Sequence, residues 1–128
     1  MNKDRLTLDE LINKASQTNN KENYIELYIK RIDRCIKLRK PNNELILDAL
    51  DIAKDNSHDG DLHLLYNSIV EPNIKDIRLH SAYNVSRPYD ILDKIFTLGE
   101  IAGMSKELTK DSGFFDEDSI TLIDNLKN

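Results

Sequence analysis

A chain of 128 residues, 39% hydrophobic and 32% charged, has the composition of a soluble globular protein, with room for one domain and its core but not two. Its net charge of −5 is uneven, with seven Lys/Arg against three Asp/Glu in residues 21–40 and eight against seventeen in residues 41–128, a balance that argues against a nucleic-acid-binding face. No run approaches the ~18 apolar residues of a membrane span, the N-terminus lacks an apolar signal core, and Cys35, the sole cysteine, leaves no intrachain disulfide or cysteine-based zinc site, so a cytoplasmic protein is expected.

The first predicted element is a helix. Leu6, Leu8, Leu11, Ile12 and Ala15 recur at near-helical spacing, and Thr7 with Glu10 three residues on forms a capping box. After a polar loop the period changes to two. Ile25, Leu27 and Ile29 alternate with Glu26, Tyr28 and Lys30, then Ile36 and Leu38 alternate with Lys37 and Arg39, which predicts a β-hairpin turning near Asp33. Pro41 ends the second strand, since it has no N–H for a ladder. Asn42 or Asn43 then caps a helix carrying Leu45, Ile46, Ala49, Leu50 and Ala53.

The next stretch, Asp55 to Tyr66, has the look of a calcium loop. Asp55, Ser57, Asp59, Gly60 and Leu62 fall at positions one, three, five, six and eight of an EF-hand, but position twelve is Tyr66 where a bidentate Glu is needed. A helix–helix connector with Gly60 in a left-handed conformation is the better reading, and no metal is expected. Helical spacing resumes from Asp61 and stops before Pro72, and a short helix is expected within residues 73–85. The strongest helix follows, capped by Ser86, with Pro88 early and apolar residues continuing to Met104, and Leu108 extends the same face. A last helix is expected within the acidic segment 116–128. The expected architecture is a predominantly helical α+β fold: one domain over residues 1–128, with an N-terminal helix and hairpin followed by four to five helices.

Chemistry-bearing constellations are weak. His58 and His63 are five apart and share no helical face, and there is no phosphate-binding glycine loop, no GxSxG and no Cys/His pair with a third member. Lys75, Arg78 and His80 faintly resemble the cation-plus-histidine pattern of certain helical ribonucleases, with Lys75 where a planar guanidinium is required. No catalytic residue and no cofactor is expected. The apolar signal is stronger: Ile91, Ile95, Leu98 and Ala102 follow one helical stripe, and Leu92, Phe96, Gly99 and Gly103 an adjacent one. Two glycines at i, i+4 each cost a helix about 1 kcal/mol relative to alanine, so they call for either a close-packed backbone or a helix break near Leu98–Gly99. With Phe114 and Phe115 nearby, this surface is a candidate partner-binding patch.

The order of segments between Leu6 and Phe115 resembles the XkdN-like phage tail assembly chaperones of Gram-positive phages and defective prophages. The marks are Tyr66 before a short connector, Leu79-x-x-Ala82-Tyr83, Pro88-x-Asp90-Ile91, Leu98-Gly99-Glu100-Ile101 and Ser112-Gly113-Phe114, in that order. The resemblance implies a non-enzymatic protein that coats the tape-measure protein in the bacterial host cytoplasm and helps recruit tail-tube subunits. It also implies absence from the finished particle, and it leaves homo-oligomerisation open. On that reading Tyr89, Leu92, Phe96, Leu98, Gly99, Ile101 and Phe114 are the expected partner-binding residues. A small immunity protein binding a toxin, and a degenerate ribonuclease, are the alternatives.

Overall fold

The computed structural model describes residues 4–15 and 23–123, and it is α+β: six α-helices and a three-stranded antiparallel sheet. Helix α1 (Leu8–Ala15) starts where the sequence predicts. The Thr7 backbone N–H donates to Glu10 Oε1 at 3.2 Å, and the Glu10 N–H donates back to Thr7 Oγ1 at 3.2 Å. None of its residues is buried, so Leu8, Leu11 and Ile12 keep an apolar face in solvent.

Strands β1 (Tyr24–Ile29) and β2 (Arg34–Arg39) form the expected hairpin, in register from Tyr24 opposite Arg39 to Ile29 opposite Arg34. Asp33 takes a left-handed φ of 59°, which a short polar side chain tolerates, and its N–H closes the turn onto the Ile29 carbonyl at 2.8 Å. A third strand, β3 (Ile69–Glu71), pairs antiparallel with the other side of β2, where a helical continuation was expected. Three residues are too few to show a period of two, and their apolar pair merges with the helix before them.

Helix α2 (Asn43–Ala53) is capped by the Asn42 side chain, which accepts from the Leu45 N–H at 2.8 Å. The calcium-like stretch corrects a second expectation: it is mostly helix, α3 (Ser57–Tyr66), capped by Asn56. Gly60 lies inside that helix and is not left-handed. It is glycine because α2 passes close by: a Cβ there would stand 2.8 Å from both the Ala49 carbonyl oxygen and the Ala53 Cβ.

Helix α4 (Ile77–Ala82) matches the short helix expected there. The helix expected from Ser86 to Met104, with a break near Leu98–Gly99 as one reading of its glycines, is a 3-10 turn (Pro88–Asp90), α5 (Ile91–Ile95) and α6 (Leu98–Ser112), broken at Phe96–Thr97. Phe96 is extended (φ −114°, ψ 154°), and Thr97 begins α6 with a full capping box. Its N–H donates to Glu100 Oε1 at 2.9 Å, and the Glu100 N–H donates to Thr97 Oγ1 at 3.1 Å. Gly113, left-handed at φ 69°, ends α6. Of the expected acidic C-terminal helix, the described part holds only a 3-10 turn (Glu117–Ser119); residues 124–128 lie outside the described residues.

One apolar core joins these elements. Leu38 of the central strand, Leu62 and Leu65 of α3, Ile91 and Leu92 of α5, and Ile101 and Leu108 of α6 are all fully buried in it. α3 and α6 are further tied by the Ser105 hydroxyl, which donates to Asp61 at 2.8 Å.

Candidate partner-binding surface

The apolar residues expected to face a partner divide sharply. Leu92 and Ile101 are fully buried and Phe96 is 7% exposed, so these three belong to the core and offer no contact surface in this structure. Helical periodicity marks an apolar face, but it does not say which of two adjacent stripes meets the protein's own interior. Tyr89 and Phe114 are half-buried against the core. Tyr89 completes an aromatic cluster, its ring meeting Tyr66 edge-on at 5.0 Å and His63 at 5.6 Å, with its hydroxyl 3.3 Å from His63 Nδ1. Burial within that cluster, and then Tyr89 itself, raises the Tyr66 phenol above its ordinary range.

Leu98 and Gly99 behave differently. Leu98 is 70% exposed at the first turn of α6, and Gly99 is exposed beside it. A Cβ built on Gly99 or on Gly103 would meet nothing within 4 Å, so neither glycine is explained by packing inside the chain. Leu98 and Ala102 sit one turn apart on the exposed side of α6, and Phe115, 56% exposed, lies just past its C-terminal end. Between Ala102 and Phe115 this side of the helix, about 22 Å long, carries Lys106, Thr109 and Lys110, so the apolar surface lies at its two ends. The sequence marks Phe115 only as a neighbour of the patch, and Ala102 only as a member of the stripe that contains Leu98.

A groove of about 690 Å3 runs beside that surface, between β1 and α6. Leu27, Ile29, Gly99, Gly103 and Met104 supply its apolar lining. Its two walls are fixed to each other by Arg31 of the hairpin turn. That guanidinium donates to Glu100 Oε2 at 3.0 Å and Oε1 at 2.8 Å, and to the Ile95 carbonyl at 2.8 Å. The Arg31 bond first, then the Thr97 N–H, holds the Glu100 carboxyl below its ordinary range, and Glu100 in turn raises Arg31. One carboxylate therefore caps α6 and clamps it to the sheet.

The weaker candidates of the sequence resolve into separate contacts. His58 donates to Asp93 at 2.7 Å, Asp59 accepts from Arg87 at 3.1 Å, and Asp61 accepts from Ser105, so these side chains of the calcium-like stretch turn to different elements. Among the described residues, no group of three or more His, Cys, Asp or Glu side chains is placed to hold a metal ion. His80 donates Nε2–H to the Ile74 carbonyl at 2.8 Å. Arg78 is tied at the surface to Asp76 at 2.7 Å, and Lys75 reaches Asn67. Lys75 and His80 both also meet the Tyr66 ring, at 5.1 and 6.1 Å, while Arg78 turns away to Asp76. Among the described residues, no helix is long and apolar enough to cross a membrane.

A family model described as phage XkdN-like tail assembly chaperone protein covers residues 20–127. Its span begins after α1 and runs past Phe115, so the N-terminal helix stands outside the shared region. No curated protein and no solved structure matches the chain.

Proposed function

The chain belongs to the family of phage XkdN-like tail assembly chaperones, and from that premise we propose that it binds the tape-measure protein and helps gather tail-tube subunits around it. Binding takes place in the bacterial host cytoplasm, and the chain leaves before the particle is complete. The observation that carries this reading is the outer side of α6, where Leu98, Ala102 and Phe115 present apolar surface that nothing among the described residues covers. A surface of this length suits a helix laid alongside it, with apolar anchors at its two ends. Its modest area, interrupted by Lys106 and Lys110, suits a contact that must later be released.

Leu98 is the first residue of α6, so Leu98→Asp removes the apolar contact while placing a carboxylate where the helix dipole favours one. Co-expression with the cognate tape-measure protein tests the role. The tape-measure protein should be soluble with the native chain and insoluble with Leu98→Asp. Equal solubility with and without the chain would remove the basis for the proposal.

A further inference from the structure

β1 and β3 are the two edges of the sheet, and they are very different edges. β3 has three residues and is followed at once by Pro72, so it offers little to pair with. β1 has six residues, Tyr-Ile-Glu-Leu-Tyr-Ile, with no proline, no lysine and no bulge in its register with β2. Its outward backbone groups have no hydrogen-bond partner among the described residues. Natural sheets normally blunt such an edge, because a row of free N–H and C=O groups is a template for another strand. Ile25 and Leu27, which face the core side, are only half-buried. Beyond Leu27 lies the open groove, and across it Gly99 and Gly103 present no side chain.

We propose that this edge is a self-association surface, at which β1 of one copy pairs antiparallel with β1 of a second copy about a two-fold axis at Leu27. The inference does not depend on the tape-measure reading. The strand sequence selects both the occupant and the register. For both core faces to lie on the same side of a joined sheet, odd-numbered residues must oppose odd-numbered residues. Centring the axis on Glu26 would place Glu26 against its own copy, a like-charge pair that opposes association. Centring it on Leu27 instead overlaps Ile25 to Ile29. Leu27 then meets Leu27 of the second copy, Ile25 meets Ile29, and Glu26 lies opposite Tyr28. Glu26 then has two diagonal neighbours on the second copy, Lys30 and Glu26, and the two Glu26–Lys30 attractions across the axis outnumber the one Glu26–Glu26 repulsion. A strand added outside β1 carries its own Leu27 and Ile29 over the groove, where the missing Cβ atoms of Gly99 and Gly103 leave room. Two glycines that helix propensity disfavours and internal packing does not require are accounted for by this approach.

Sedimentation velocity of the full chain, over a concentration series and with reductant present to keep the exposed Cys35 from cross-linking, tests the proposal. The expected result is a monomer–dimer equilibrium. Gly103→Arg, whose Cβ has open space in the single chain, should keep its far-ultraviolet circular dichroism and weaken self-association about tenfold or more. Glu26→Lys and Lys30→Glu should each weaken it roughly tenfold, because each turns two diagonal attractions into repulsions. The double variant, Glu26→Lys with Lys30→Glu, should restore it. A chain that stays monomeric throughout the series overturns the proposal. So does a dimer that is indifferent to Gly103→Arg and shows no rescue by the charge swap.

Discussion

The same substitution, glycine to alanine, should act in opposite directions at two positions of this fold. At Gly103, in the middle of α6, an added Cβ meets nothing within 4 Å. Alanine there gains helix propensity and narrows the unfolded ensemble, together about 0.5–1 kcal/mol of added stability. At Gly60, in α3, the same Cβ would stand 2.8 Å from the Ala49 carbonyl oxygen and from the Ala53 Cβ. Both atoms belong to helix α2 and neither is the flexible end of a long side chain, so α2 and α3 must separate. Overpacking of that kind costs about 1–3 kcal/mol, which outweighs the propensity gain and leaves Gly60→Ala destabilised by roughly 1–2 kcal/mol. Urea denaturation followed by circular dichroism, at protein concentrations that keep the chain monomeric, measures both. Gly103→Ala should raise the urea midpoint by about 0.3–0.5 M, and Gly60→Ala should lower it. A Gly103→Ala variant less stable than the parent would mean that this face is packed within the single chain. The account of α6 as an uncovered surface would then be wrong.

Phe96→Asp should unfold the chain, at about 4 kcal/mol or more, since Phe96 is core; Leu98→Asp, two residues on, should stay within ~0.5 kcal/mol of the parent in the same denaturation experiment. Asp76 titrates at about 2, held down first by the side-chain hydrogen bonds from Arg78. A lowered carboxyl adds stability above its ordinary value near 3.8 and loses it as pH falls toward 2, so an NMR titration should place its midpoint near 2 and show it rising in Arg78→Ala. Glu100 follows the same sign. Glu100→Gln keeps a capping side chain but removes the charge that Arg31 grips, so the parent's stability advantage should be present at neutral pH and shrink as the solution is acidified below the ordinary Glu range. Leu8→Ala in α1 should leave the urea midpoint almost unchanged, because Leu8 is 72% exposed.

How much of this was legible in the sequence depends on how local the signal is. Thr7-Leu8-Asp9-Glu10 predicts the start of α1, and the structure shows both reciprocal bonds. Thr97-Leu98-Gly99-Glu100 carries the same Thr-x-x-Glu signal, yet the apolar spacing running from Ile91 to Met104 reads straight through it as one helix. The hairpin was readable because six-residue strands show their alternation; β3 was not, because Ile69–Glu71 is too short to have a period. Gly60 illustrates a different limit. A glycine among Asp and Asn suggests a left-handed turn, but the requirement comes from the close approach of α2, the helix just before α3, which no local pattern reveals. The partner patch divides for a similar reason. Leu92, Phe96 and Ile101 look like Leu98 in composition, and only the placement of the break at Phe96–Thr97 decides which of them turn inward.

The central claim is that the outer side of α6 is where this chain holds a tail component. The most direct measurement places a photo-crosslinking amino acid at position 98, co-expresses that variant with the cognate tape-measure protein, and identifies the crosslinked product by mass spectrometry. Leu98 is 70% exposed, so the replacement should not disturb the fold, and a control at the exposed Glu44 of α2 reports non-specific contact. The account predicts a crosslink to the tape-measure protein from position 98 and none from position 44. A properly folded variant that gives no such crosslink at position 98, or the same yield at both positions, would contradict it.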